Sequence, residues 1–180
     1  MRSQHSTPGT AAVPAAMRAR CPRSHSSAGS IAPAGFGMTH TMPLRVYYED
    51  TDAGGIVYYA NYLKFVERGR TEMMRELGFA HSGIVAETGI VFTVRRLSAD
   101  YRQPARLDDL LSVETRVVEI AGATLLLDQQ VCRDGEVLVA CEVLVACVGP
   151  DSRPRRVPPA LRAALEAPAP ASPSIVQKTP

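Results

Sequence analysis

The chain has 180 residues, of which 46% are hydrophobic and 21% charged, and its formal net charge at pH 7 is +2. This length and composition suit one globular domain with appendages, and no apolar run is long enough to cross a bilayer, so we do not expect an integral membrane protein. All 18 acidic residues lie from Glu49 onward, so the part expected to fold is mildly acidic, which argues against nucleic-acid binding.

Residues 1–37 are rich in Ala, Ser, Pro and Gly, and we expect them to form a disordered N-terminal extension. The segment shares with organellar transit peptides a high Arg and Ser content without acidic residues. Its four prolines, however, oppose the amphipathic helix that such peptides need. We favour a natural start at Met38 or Met42.

The next predicted elements are a short strand, a polar loop and a long helix. Residues 44–49 are β-branched and aromatic, residues 50–55 have the composition of a loop, and apolar residues recur at helical steps from about residue 59 to residue 77. Gly78 then signals the end of the helix. This order places a carboxylate beside the first amides of a helix, which have no intrahelical partner.

Asp52 is the candidate carboxylate in that loop. An Asp in such a position usually caps a helix or shapes a turn. Two features favour chemistry instead: Asp52 lies far upstream of Asn61, and Gly54 and Gly55 allow the backbone to approach a ligand closely. An ionised Asp can attack a carbonyl carbon or activate water while helix-terminal amides bind the oxygen.

Four strand-like runs follow a possible short helix or turn at residues 83–88. They cover residues 90–103, 109–120, 123–133 and 136–148, and the breaks between them predict antiparallel neighbours. Residues 151–180 are rich in Pro and Ala, and we interpret them as a C-terminal tail.

The last predicted hairpin also allows a prediction of register. A two-residue Asp-Gly turn would set the apolar faces of its two strands on opposite sides of the sheet. A three-residue turn with a bulge at Gly135 unites them instead, pairing Val131 with Val137 and Leu127 with Cys141. We therefore predict the bulged turn.

Several other kinds of active site or binding site need residues that this chain lacks. A Ser-His-Asp or Cys-His hydrolase needs a histidine in the folded part of the chain. We expect His5, His25 and His40 to precede the domain. This leaves only His81, which we interpret as a loop residue. The four cysteines have no metal-type spacing, and no glycine-rich nucleotide loop is present. We expect no metal and no cofactor, and we interpret the cysteines as small core residues of a cytoplasmic protein.

Residues 48–62, Tyr-Glu-Asp-Thr-Asp-Ala-Gly-Gly-Ile-Val-Tyr-Tyr-Ala-Asn-Tyr, resemble the signature of the 4-hydroxybenzoyl-CoA thioesterase family of hotdog-fold proteins. The chain is most similar to its Tol-Pal-associated acyl-CoA thioesterase branch, which residues 92–96 and 100–110 also resemble. The likeness covers roughly residues 43–150. It implies an α+β hotdog fold, with one long central helix packed on a curved antiparallel sheet of about five strands, in a domain that we place at residues 38–150.

The resemblance also implies the site. Asp52 corresponds to the catalytic carboxylate, and the backbone amide of Tyr59 corresponds to the group that polarises the thioester carbonyl, although many members of the branch have His there. We expect substrate contacts from the loop and from two arginines, namely Gly54, Gly55, Ile56, Val57, Arg95 and Arg96. Other basic candidates for the CoA phosphates are Arg102, Arg106, Arg153, Arg155 and Arg156.

The activity expected from this resemblance is hydrolysis of acyl-CoA to a carboxylic acid and CoA. Subunits are expected to join their sheets into a homodimer, and dimers to pair into a tetramer with active sites at subunit interfaces. Two alternatives stay open: a non-catalytic partner of lipid enzymes or the Tol-Pal envelope machinery that binds acyl-CoA or acyl carrier protein, and a hotdog hydratase.

Overall fold

The computed structural model describes residues 39–167. The extension expected at residues 1–37, the start at Met38 and residues 168–180 of the expected tail lie outside this range. Within it, no helix combines the length and the apolar composition of a membrane span.

The described chain folds into one antiparallel sheet with three helices. The strands are β1 (Thr39–Arg45), β2 (Val91–Tyr101), β3 (Leu110–Ile120), β4 (Thr124–Arg133) and β5 (Glu136–Val148), and the helices are α1 (Asn61–Glu76), α2 (His81–Thr88) and α3 (Pro159–Glu166). The strand order is β1-β3-β4-β5-β2, and every neighbouring pair is antiparallel. The expected α+β architecture of one long helix on about five strands is confirmed.

Helix α1 buries one face against β1, β3 and β4. Its buried residues recur mostly at three- and four-residue steps, and they are Asn61, Tyr62, Phe65, Val66, Gly69, Met73 and Met74. The backbone comes closest to the sheet at Gly69, where a Cβ atom would lie 2.7 Å from Cγ1 of Val113. Gly78 follows the helix with a left-handed φ of 82°.

A buried polar network also ties α1 to the sheet. The side-chain amide of Gln129 donates to the carbonyl oxygen of Val66 and to Oγ1 of Thr115, both at 2.8 Å, and its oxygen accepts a hydrogen bond of 2.7 Å from Arg70. Gln129 and Thr115 are fully buried, so an unmatched polar atom here would cost about 1–3 kcal/mol. The network therefore fixes the position of α1 over β3 and β4.

The first strand lies earlier in the chain than predicted: the sequence indicated residues 44–49, and β1 covers Thr39–Arg45. Residues 46–49 leave β1, and Tyr48–Asp50 form a 3₁₀ turn. The buried carboxylate of Asp50 accepts a hydrogen bond of 2.9 Å from the amide of Tyr47. This local bond replaces the sheet pairing that β-branched and aromatic residues would otherwise favour.

The last hairpin has a two-residue turn, so the predicted three-residue turn is wrong. Arg133 pairs with Glu136 across Asp134 and Gly135. Both turn residues have positive φ angles, 52° and 81°, as in the type I′ turns that Asp-Gly favours.

The apolar faces of this hairpin are nevertheless united, because a bulge lies within the strands. The register shifts between Val131 and Cys132, where Leu138 is an extra residue in β5. Val131 consequently pairs with Val139 and not with Val137. A one-residue shift in register moves side chains to the other face of the sheet. The bulge at Leu138 therefore unites the two apolar faces, an effect that was predicted for the turn.

The fold continues past residue 150, where the sequence analysis ends the domain. Helix α3 buries Leu161 and Leu165, and Val157 before it is also buried. A high Pro content suggested a tail, but Pro is compatible with the first turn of a helix and stands there in α3. Two leucines four residues apart then supply its apolar stripe.

The cysteines of the described range lie in the core, as expected. Cys132, Cys141 and Cys147 are buried and free. Burial raises the pKa of the Cys141 and Cys147 thiols to about 11, so both are protonated at neutral pH and poor nucleophiles.

Candidate active site

The Asp-rich loop before α1 is a tight turn closed by an antiparallel bridge between Thr51 and Val57. The amide of Asp52 donates to the carbonyl oxygen of Ile56, and the amide of Gly55 donates to the carbonyl oxygen of Asp52, both at 2.9 Å. Gly55 has a left-handed φ of 70°, which other residues adopt at a cost of about 1 kcal/mol or more. The backbone conformation of the loop therefore favours glycine at position 55.

Asp52 presents an exposed carboxylate from this loop. Its Oδ1 accepts a hydrogen bond of 2.8 Å from the amide of Gly54. Within residues 39–167 its Oδ2 has no hydrogen-bond donor. Asp52 does not cap α1, because the N-cap residue is Ala60 and makes no side-chain capping bond. One carboxylate oxygen is thus held, and the other is available to a substrate or a water molecule.

The buried side chain of Asn61 joins the loop to the start of α1 through the backbone of Asp50. The carbonyl oxygen of Asp50 accepts hydrogen bonds of 2.9 Å from the side-chain amide of Asn61 and from the amide of Tyr58. Because Asp50 and Asn61 are both buried, this connection is shielded from water. It holds the Asp52 loop at a fixed place beside the helix.

Two consecutive amides at this point, those of Tyr59 and Ala60, have no acceptor in the part of the chain that the structure describes. The amides on either side are bonded: Tyr58 donates to Asp50, and Asn61 donates to the carbonyl oxygen of Tyr58 at 2.8 Å. Helix α1 begins at Asn61, so Tyr59 precedes the helix by two residues. Unbonded amides at a helix start attract a negatively polarised oxygen.

A groove of about 310 Å³ opens beside these amides. Its walls are Ile56, Val57, Tyr59, Tyr62, Tyr101, Arg102, Gln103 and Pro104. Two of the three tyrosines are tied to backbone groups: the Tyr101 hydroxyl donates to the carbonyl oxygen of Tyr59 at 3.2 Å, and the Tyr62 hydroxyl accepts from the amide of Ala105 at 2.8 Å. The groove is mostly apolar with a few polar groups, as small-molecule sites commonly are.

Tyr62 and Tyr101 in the groove and the neighbouring Tyr58 stay protonated at neutral pH. The pKa of Tyr58 is raised, first by interaction with the phenol of Tyr59 and last by the negative charge of Asp52. Burial raises the pKa of Tyr62 and of Tyr101.

The structure brings together some of the expected substrate-binding residues and separates others. Gly54 and Gly55 shape the Asp52 loop, and Ile56 and Val57 lie in the wall of the groove. Arg95 and Arg96, however, stand six and five residues before Tyr101 on β2, roughly 17–20 Å away along an extended strand. Arg96 also pairs with Glu142 at 3.1 Å.

Arg102 is the arginine that lines the groove in this chain. Its Nε lies 2.9 Å from Oδ2 of Asp100, and half of the side chain is exposed. Arg102 is one of the other basic residues singled out in the sequence, and it lies at the groove, whereas Arg95 and Arg96 do not.

The two histidines of the described range, His40 and His81, lie at the other end of α1, which is about 24 Å long. His40 is buried in β1, with Nε2 3.3 Å from Glu76 at the last residue of α1. The sequence analysis was wrong to place His40 before the domain and His81 in a loop, since His81 is the first residue of α2. Neither histidine lines the groove bounded by Tyr59, Tyr62 and Tyr101. Residues 39–167 contain no metal-like group of His, Cys, Asp and Glu side chains.

Sequence reasoning missed the contributions of Asn61, Tyr62 and Tyr101. Each contacts a residue at least 11 positions away in the chain. The available signal was that Tyr101 lies near the end of the strand predicted at residues 90–103, next to Arg102, but no local pattern shows which loop a strand end faces.

Comparison with known proteins gives consistent matches. The profile of the thioesterase superfamily matches residues 54–140. The acyl-CoA thioesterase YbgC of Haemophilus influenzae is 51% identical over 108 residues, which are 60% of this chain and 79% of that protein.

Solved structures match over a similar range. A probable thioesterase from Bartonella henselae superimposes with a TM-score of 0.65 at 35% identity, covering 67% of this chain and 100% of that chain. A mutant of 4-hydroxybenzoyl-CoA thioesterase, solved in complex with 4-hydroxybenzoyl-CoA, has a TM-score of 0.67 at 22% identity and covers 71% of this chain and 98% of that chain. At 22% identity the second likeness shows the fold alone.

Proposed function

Because this chain belongs to the thioesterase superfamily, we propose that it hydrolyses the thioester bond of acyl-CoA to a carboxylic acid and CoA. Membership of the thioesterase superfamily confirms the resemblance that the motif at residues 48–62 indicated. The Haemophilus influenzae relative, an acyl-CoA thioesterase, supports the substrate class. The observation that carries the proposal is the exposed Asp52 carboxylate, held by one oxygen in the loop before α1. This loop leads to the amides of Tyr59 and Ala60, which have no acceptor within residues 39–167.

Asp52 acts as the nucleophile or as the general base. As the nucleophile, Oδ2 attacks the acyl carbon and the C–S bond breaks with release of CoA thiolate; water then hydrolyses the mixed anhydride and restores the carboxylate. As the base, Asp52 takes a proton from the attacking water and passes it to the leaving thiolate. In both routes the amide of Tyr59 donates to the oxyanion, a contribution of about 3 kcal/mol per donor in other enzymes.

The groove supports a binding role for Ile56 and Val57 beside Asp52, with Gly54 and Gly55 setting the loop. We propose that the chain functions as a homodimer or a tetramer with its active sites at subunit interfaces. In that arrangement Arg95 and Arg96 reach substrate from a neighbouring subunit, because they stand far from the groove of their own chain.

We further propose that the enzyme is cytoplasmic and uses neither a metal nor a cofactor. The buried, free thiols support a reducing compartment. The resemblance to the Tol-Pal-associated branch supports a link to envelope machinery and to acyl carrier protein as a further acyl donor.

Free-thiol release from short, long and aromatic acyl-CoAs tests the function. We expect the full chain to release thiol, and Asp52→Asn to lower kcat by about 100-fold or more while folding normally, because the amide neither attacks nor accepts a proton.

Asp134→Asn is the matched control, since Asp134 is an exposed turn residue of the β4–β5 hairpin, and it should keep wild-type activity. Full turnover by Asp52→Asn would remove Asp52 from the mechanism. Tight acyl-CoA binding without thiol release by the wild type would favour the non-catalytic partner, and conversion of an enoyl thioester into a hydroxyacyl thioester would favour the hydratase.

A further inference from the structure

Two consecutive peptide units precede α1, and they are bonded in the same way. The carbonyl oxygen of Tyr58 accepts a hydrogen bond from Asn61, and the amide in the same peptide unit is that of Tyr59. The carbonyl oxygen of Tyr59 accepts a hydrogen bond from the Tyr101 hydroxyl, and the amide in that unit is that of Ala60. In each unit the carbonyl is bonded, and within residues 39–167 the amide is not.

The helix itself does not use the Tyr59 carbonyl. Leu63, which is placed to donate to it in a regular first turn, donates instead to the carbonyl oxygen of Ala60 at 3.1 Å. Tyr101, the last residue of β2, supplies the hydrogen bond from across the groove. The second peptide unit is therefore held by a side chain from a distant strand.

Ring contacts hold the Tyr101 side chain in the position from which it donates. Its ring meets the rings of Tyr59 and Tyr62 edge to face, with centroids 6.3 Å and 5.9 Å apart. Tyr62 is itself fixed by the amide of Ala105. Burial raises the pKa of Tyr101, so the phenol keeps its proton and remains a donor at neutral and mildly alkaline pH.

A hydrogen bond to a carbonyl has two effects on the amide of the same peptide unit. It restricts rotation of the peptide plane, and it polarises the N–H group so that this group donates more strongly. For the Tyr59 amide both effects come from the main chain of α1. For the Ala60 amide both come from the Tyr101 hydroxyl.

We infer that the Ala60 amide is a second oxyanion donor beside that of Tyr59, and that Tyr101 is a positioning residue that orients and polarises it through the Tyr59 carbonyl. This inference rests on the proposed thioester hydrolysis. Tyr101 acts through the peptide unit and takes no proton from the substrate. Two donors that converge on one oxygen stabilise a developing negative charge better than one.

Tyr101→Phe tests the inference, because it removes the hydroxyl and keeps the ring that packs on Tyr59 and Tyr62. We expect kcat to fall about tenfold with little change in KM, since the donor is loosened and not deleted; deletion of an oxyanion donor costs roughly 100-fold or more. Tyr48→Phe is the matched control: Tyr48 is 83% exposed and lies outside the groove, so the same loss of a hydroxyl should leave kcat unchanged.

A spectroscopic readout separates positioning from a structural role. In the Asp52→Asn background, which stops turnover, the best substrate of the panel is bound with an isotope label at its carbonyl carbon. We expect the carbonyl stretching frequency to be higher in Asp52→Asn with Tyr101→Phe than in Asp52→Asn alone, because the hydrogen bonds to that oxygen are weaker.

The outcomes are distinguishable. Wild-type protein that releases no thiol from any acyl-CoA contradicts the proposed function itself. An active wild type with an unchanged kcat in Tyr101→Phe overturns the inference alone. A rise in KM only, or a fall in kcat without a change in carbonyl frequency, assigns Tyr101 a structural role and also overturns it.

Discussion

Gly54 is the residue that most directly determines where the Asp52 carboxylate lies. Its amide donates to Oδ1 of Asp52 at 2.8 Å, and a Cβ atom at position 54 would meet the same oxygen at 3.0 Å. Since real Cβ atoms are rarely this close to another heavy atom, a side chain here would push the carboxylate away from its present position.

Gly54→Ala is therefore expected to lower kcat about tenfold without lowering the melting temperature, because misplacement of a reacting group by about 1 Å can cost up to roughly 100-fold in rate. Thiol release and thermal unfolding measure the two effects. Gly122→Ala is the control, since an added Cβ there meets nothing within 4 Å. Wild-type kcat in Gly54→Ala would mean that the position of Asp52 tolerates this displacement.

At the level of elements, the close approach of α1 to β3 depends on Gly69. A Cβ atom at this position would lie 2.7 Å from Cγ1 of Val113 and 3.1 Å from Oγ1 of Thr115. Both neighbours are fully buried, and Thr115 also belongs to the Gln129 network, so neither can move freely. The helix that presents the site is seated by this contact.

Gly69→Ala should lower the free energy of unfolding by about 1–3 kcal/mol, as overpacked cores do. Urea denaturation measures the change. Gly83→Ala in α2, where an added Cβ meets nothing, should instead be neutral or stabilising by up to about 1 kcal/mol through helix propensity. Equal free energies of unfolding in Gly69→Ala and Gly83→Ala would contradict a close contact at Gly69.

At the level of the whole molecule, β2 is the long edge strand of the sheet. It has 11 residues and pairs with β5 on one side. Its Val91 and Val94 are among the exposed large apolar residues. A long edge strand presents unpaired backbone groups and is a template for pairing with another chain, which supports the proposed association of subunits.

Light scattering should therefore give a mass at least twice the 19.4 kDa of one chain. Val94→Lys should shift the mass toward that of the single chain, because burying an ammonium group in an interface is costly. Leu110→Lys, on β3 away from this edge and also exposed, should leave the mass unchanged. A wild type with the mass of a single chain would contradict the proposed association.

The sequence pattern by itself determined helix α1, strands β2 to β5 and the location of the loop, but it missed helix α3 and most of β1. Helical steps placed α1 within two residues of its observed ends, and the span predicted for β5 is the observed one. These patterns are readable because side-chain burial in a helix or a strand repeats with a fixed local period. The same local signals indicated Asp52 and its glycines as the loop before the helix.

Only the tertiary structure decided which distant groups meet. It placed the Tyr101 hydroxyl on the Tyr59 carbonyl, kept Arg95 and Arg96 away from the groove of their own chain, and put His40 in β1. The bulge of the last hairpin lies at Leu138 and not at the predicted Gly135. Local periodicity records which side of an element is buried, whereas register, strand ends and the facing of loops follow from long-range packing that no single segment encodes.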